Sequence, residues 1–147
     1  MLAAEGKPGR VFVIRLEDGD LLPDCLEEFA AKNEIRVGLI HLVGGLRNGR
    51  LVVGPESDST EEVNPEFKEI DGRPRETISL GIIVPDQEGR PRAHIHGALG
   101  REDEIAVGCL RPGIRTWLMG EVIIQEIVGT DSKRVFHDKN KLGYLEP

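Results

Sequence analysis

The chain has 147 residues, 39% hydrophobic and 31% charged, which suits a single domain with its own core. Acidic residues outnumber basic ones 26 to 19, a formal charge of −7, and this excludes a surface built throughout to grip nucleic acid. At 4% aromatic, it also lacks the stacking platforms needed along a single strand.

Two cysteines, Cys25 and Cys109, make no disulfide framework and suit a reducing compartment. The first residues carry no secretory apolar run, and no stretch approaches the roughly 18 apolar residues of a membrane span. The expectation is a cytoplasmic protein that does not enter membranes.

In chain order, Arg10 to Leu16 reads as a strand ending in the turn-like Glu17-Asp18-Gly19-Asp20. A helix is predicted over Leu21 to Asn33, capped by Asp20, with Asp24, Glu27 and Glu28 at its positive end. Leu22, Leu26, Phe29 and Ala30 form one apolar stripe, and Cys25 borders it as a small hydrophobe. Strands follow. Arg36 to Leu46 alternates, with Val37, Leu39, His41 and Val43 on one face. Asn48-Gly49 predicts a two-residue hairpin turn, with Arg50 to Val53 returning from it. Phe67 to Ile70 is a short strand. Arg75 to Val84 sets Glu76, Ile78, Leu80, Ile82 and Val84 on one face. Arg92 to Leu99, Ile105 to Leu110 and Trp117 to Gly129 complete about eight strands. One helix among them gives an α+β domain, its mostly antiparallel seven- to eight-stranded sheet curled towards a barrel. The domain is expected over residues 1–130. The polar tail, residues 131–147, is expected to be partly disordered, with His137 solvated.

Three constellations carry potential chemistry. In His94-Ile95-His96, both imidazoles point to one face of a strand, about 6.7 Å apart along the chain. Neutral imidazole suits zinc and other divalent transition metals. A hairpin joining this strand to the next brings Cys109 to the same point as a thiolate. His41 is a fourth candidate ligand. Glu121 is a fifth, because it interrupts an apolar stretch. Surface or hydrogen-bonded core histidines and a packing cysteine explain the same residues without a metal. The second constellation is a repeated Gly-Arg-Pro-Arg, at Gly72 to Arg75 and Gly89 to Arg92. It contains the centre of a minor-groove AT-hook, but Asp71 and Glu88 precede the copies and both stand at strand starts, where Gly and Pro build turns. The third is Leu110-Arg111-Pro112-Gly113-Ile114-Arg115 with Arg101 nearby. It reads as a small anion patch or as a hairpin tip. Nucleotide-binding loops and hydrolase elbows are absent.

Taken in order, Gly9 to Leu16, Gly44-Gly45-Leu46, Glu76-Thr77-Ile78-Ser79-Leu80, His94-Ile95-His96 and Glu121-Val122-Ile123-Ile124 resemble the PPC domain, the plant and prokaryote conserved domain. The resemblance spans about residues 9 to 129. It implies an α+β fold assembled as a homotrimer. In plants the domain accompanies AT-hooks in nuclear DNA-binding proteins; prokaryotic members are often labelled DNA-binding, and several resemble metal binders. Their third ligand stands in a Gly-Gly-His step. Here that step reads Val107-Gly108-Cys109, a replacement by another ligand type that favours a retained metal.

The expected function is that of a trimeric PPC protein of the prokaryotic type. It holds a divalent transition metal, zinc first, through His94, His96, Cys109 and His41, and binds a small molecule or catalyses a reaction at a subunit interface. Trp117, Met119, Ile123 and Ile127 form a second apolar face on the last strand, as an interface requires. Glu121 is the candidate base for a metal-bound water. DNA binding is the alternative, opposed by the negative charge. A cupin-like metal enzyme is a further alternative, resting on Gly89, His94, His96 and Glu102, but its spacing is one residue short and its second-motif histidine is missing.

Overall fold

The computed structural model describes all 147 residues. Eleven strands and one helix run in chain order: β1 (Lys7–Glu17), β2 (Leu21–Leu22), α1 (Asp24–Lys32), β3 (Val37–Arg47), β4 (Gly49–Pro55), β5 (Pro65–Ile70), β6 (Arg75–Pro85), β7 (Pro91–Arg101), β8 (Glu104–Leu110), β9 (Ile114–Val128), β10 (Lys133–His137) and β11 (Leu142–Glu146). The fold is α+β, with 62% of residues in strands and 6% in the helix. The main antiparallel sheet runs β1-β9-β3-β6-β7-β8-β4-β5, and β2 adds to β9 as a ninth strand. The sheet does not close. No helix is long and apolar enough to cross a membrane.

Alternation decides which face each strand buries. On β3, Ile40 and Leu42 are buried while His41 and Val43 are exposed; on β9, Val122 and Ile124 are buried while Glu121 and Ile123 are exposed. The buried faces meet α1, whose Leu26 and Ala30 join Leu22, Ile40, Ile95 and Ile124 in one core. The helical stripe therefore forms as the periodicity predicts. The helix itself starts later, at Asp24, because Leu21 and Leu22 pair with Arg115 and Ile114 of β9. Asp20 does not cap it; its carboxylate accepts from the Glu17 N–H at 2.9 Å and closes the turn after β1 instead. Burial pushes the Cys25 thiol up to about 12, as befits a packing residue.

Three local expectations change. Asn48 and Gly49 both adopt positive φ (54° and 102°), as the turn chemistry demands, but β3 and β4 do not pair. The turn is a corner that sends β4 to β8 and β5. Pro112-Gly113 likewise turns the chain between two strands that do not pair with one another. The tail is ordered: β10 and β11 form a hairpin in which His137 lies against Tyr144, ring centroids 4.7 Å apart.

The other face of the sheet is apolar and open. Val13, Val43, Ile78, Leu80, Val107 and Ile123 are all exposed on it.

Near the sheet edge, Arg10 ties β1 to β9. Its backbone N–H, Nε and Nη2 donate to the Glu126 carboxylate at 3.1, 2.8 and 2.7 Å. The carboxylate's side chain is only 9% exposed. These bonds hold the Glu126 carboxyl below its ordinary pKa. The folded chain then binds fewer protons there than the unfolded chain. The contribution is complete above the unfolded value of about 4.3 and is lost as pH falls through the lower folded value. Arg10→Ala is therefore expected to lower the denaturant midpoint at pH 7, with the difference from wild type shrinking in acid. An equal difference at pH 7 and pH 2 would refute this account.

Candidate metal centre

The β7–β8 hairpin sets His96 directly opposite Cys109 in the antiparallel register. His94 lies two residues back along β7, on the same face. The ligand atoms of His94, His96 and Cys109 all lie within 4.8 Å of one another. The two Nε2 atoms are 3.0 Å apart, with the rings edge to face at 4.9 Å between centroids. Two nitrogens bound to one tetrahedral zinc stand about 3.3 Å apart, so little movement separates this arrangement from a chelating one. The same distance suits an N–H···N hydrogen bond between the rings. What distinguishes the site is the third donor, a buried cysteine sulfur converging on the same point.

At His94 the electrostatics favour a lone pair over a proton. Partial burial lowers the His94 pKa to about 4, and the positive charges of Arg134, His96 and Arg111 act in the same direction. At neutral pH the ring is uncharged and able to donate to a metal. Two imidazoles and a cysteine sulfur would supply three ligands of the mixed nitrogen–sulfur kind that zinc accepts, and a four-coordinate ion held by them would have one further position for water or a ligand.

Residues 3–128 match the Plants and Prokaryotes Conserved (PCC) domain. The chain belongs to that family. A solved PCC relative, the plant- and prokaryote-conserved protein of Pyrococcus horikoshii, is 21% identical, with a TM-score of 0.83 over 100% of this chain and 99% of that one. A protein of Archaeoglobus fulgidus described as metal-containing is 24% identical, with a TM-score of 0.85 over the full length of both chains. A protein of Ralstonia eutropha named as a DNA-binding candidate is 19% identical, with a TM-score of 0.68 over 92% and 90%. None of the curated proteins matches the chain.

Within this PCC domain the other predicted site residues fall elsewhere. His41 pairs with Leu80, which pairs with His96. It therefore shares the face and the cross-strand row of the cluster but stands two strands away, about 9.6 Å. The donor atoms that converge are those of His94, His96 and Cys109, without His41. Glu121 lies in the neighbouring row, opposite Val43, then Ile78, then Ala98. Three strand spacings, about 14 Å, separate it from β7. It lines an open cleft of about 530 Å³ with Glu76, Val43 and Ile78, and no base stands at the cluster from this position. Glu102 sits at the tip of the β7–β8 hairpin, 77% exposed beside Arg101, at the far end of the strand from His94. With an open sheet and Glu102 so placed, the cupin-like pattern has no geometric counterpart.

The arginines of both Gly-Arg-Pro-Arg copies are engaged. Arg73 and Arg75 bind Asp71 and Glu104; Arg90 and Arg92 bind Asp86, with Glu88 and Glu27 as further partners. The Arg75 and Arg73 bonds hold the Asp71 carboxyl at about 2. Both copies are strand-entry turns, as the cheaper reading of the sequence has it.

One charged residue that acts on the cluster is not signalled by the sequence. Arg134 of β10 brings positive charge to His94, and Cys109 acts on Arg134 in turn. It lies in the tail, whose charged composition conceals a hairpin.

Proposed function

We propose that this PCC protein holds one divalent transition metal, zinc first, on His94, His96 and Cys109, and assembles as a homotrimer through the open apolar face of its sheet. The observation that carries the metal reading is the convergence of three donor atoms of the right chemistry within 4.8 Å on neighbouring strands. The description of the Archaeoglobus relative as metal-containing supports it. A bound ion would supply Lewis acidity at the fourth position, where it lowers the pKa of water or accepts a ligand atom. The chain's part is to fix two imidazole rings and one sulfur close together on rigid neighbouring strands.

Elemental analysis of purified, untagged protein tests this. The expected result is about one ion per chain in the wild type and loss of it in His94→Ala and Cys109→Ala. A wild type that stays metal-free after incubation with zinc, iron and manganese overturns the reading.

Against DNA binding stand the charge of −7 per chain and the carboxylate partners of all four Gly-Arg-Pro-Arg arginines. No gel shift is expected at micromolar protein in low salt, where phosphate contacts are strongest. A shift that weakens steeply with added salt would restore that alternative.

A further inference from the structure

We propose that the cluster of His94, His96 and Cys109 is one half of a binding site for a small oxyanion, a carboxylate or a phosphate, whose other half is Arg134 with Arg111. The inference rests on the metal reading above and names the class of ligand that fills the open position.

The hairpin β10–β11 is what delivers Arg134. After Gly129 the chain turns back and packs β10 against β6. The Phe136 N–H donates to Gln87 Oε1 at 3.2 Å. Val84, set by alternation on the face of Ile82, is only 1% exposed, although Ile78 and Leu80 on that face lie open. Ile82 is the cross-strand neighbour of His94. The hairpin thus covers the end of the sheet beside the cluster, whose two histidines stay exposed.

Arg134 is held at its stem. Nη1 donates to the Gly143 carbonyl at 3.0 Å, and a Cβ on Gly143 would stand 3.1 Å from the arginine's Cγ and Cδ. Nη2 is buried and has no acceptor. A buried guanidinium nitrogen without an acceptor is costly, and water or an anion must supply one. No carboxylate pairs with Arg134 or with Arg111, whereas Arg90 and Arg92, at the entry to β7, both have acids. Burial keeps Arg134 below the ordinary arginine pKa, while the Cys109 sulfur pulls the other way. Arg134 and Arg111, whose charges both act on His94 and neither of which has a carboxylate partner, would together with a divalent ion and a single thiolate leave an excess of positive charge. An oxyanion on the metal, gripped by the arginine fork, neutralises it, and guanidinium is the donor best shaped for that task. The matched domain ends at residue 128, so Arg134 comes from beyond it and Arg111 from within it.

The test uses full-length protein, metal-free and loaded with zinc or cobalt, titrated calorimetrically with acetate and with inorganic phosphate. Cobalt absorption reports ligand exchange at the ion. Saturable binding of one anion to the loaded wild type is expected. Arg134→Met is expected to weaken it about 10- to 100-fold with metal content unchanged, Arg134→Lys to weaken it less, and Arg111→Gln to weaken it with no loss of fold. The tighter of the two probes separates a carboxylate ligand from a phosphate one. Equal affinities in wild type, Arg134→Met and Arg111→Gln, or no saturable binding to loaded protein, overturn the proposal. If the wild type takes up no metal, the metal reading fails on its own. Arginine-dependent anion binding to the metal-free chain would then sustain the cradle, and its absence would overturn it.

Discussion

Cys109→Ala is expected to weaken zinc binding by about a hundredfold or more, measured by competition with a chelating dye. Structural zinc sites contribute about 10–16 kcal/mol apparent binding free energy over four ligands, so one ligand carries roughly 3 kcal/mol, or about two decades in affinity. Cys109 is buried and opposes His96 directly, so alanine removes a donor with no replacement within reach. His94→Ala is expected to have an effect of similar size. His41→Ala is the discriminating control. It shares the face and the row but stands two strands off, so its loss leaves the affinity unchanged. A hundredfold effect at His41 together with none at Cys109 would move the centre to another place on the sheet.

Why the sequence exposes one part of this site and hides the rest follows from locality. His94 and His96 share a face by period-two alternation, and the link from Arg101 to Glu104 is short enough to force a hairpin. Cys109 can therefore be placed opposite His96 from sequence alone. His41 and Glu121 can be assigned to the correct face by the same alternation, but their distance from β7 depends on strand order. That order, β9-β3-β6-β7, is set by non-local packing. Asn48-Gly49 makes the same point in reverse: both residues take the positive φ the dipeptide favours, yet their flanking strands pair elsewhere. The C-terminal hairpin is hidden for a compositional reason. Val135 and Phe136 pair with Tyr144 and Gly143, but charged residues surround them and mask the alternation.

Ile78→Lys is expected to reduce the particle in solution from about three times 16.2 kDa to a single chain, by light scattering or sedimentation at micromolar concentration. The reason lies in the open face. Val13 is 84% exposed, Ile78 72% and Ile105 70%, and they are not scattered: with Val43, Leu80 and Ile123 they occupy neighbouring strands of one surface. Burying one such side chain contributes about 1.5–3 kcal/mol, while association costs about 4–15 kcal/mol in lost freedom. One or two exposed residues cannot sustain an assembly, but a contiguous face can, and apolar faces of this kind mark interaction surfaces. Lysine at its centre must either strip its ammonium of water or hold the subunits apart, and desolvation costs several kcal/mol per ion. Ile78→Val keeps the surface apolar and is expected to keep the assembly. Ile78 lies one row from the cluster, opposite Ala98 rather than His96, so metal content is expected to survive the change to lysine. That separates loss of assembly from loss of fold. A wild type that runs as a single chain, or an Ile78→Lys variant of unchanged mass, would sink the trimer and leave the apolar face to a different partner.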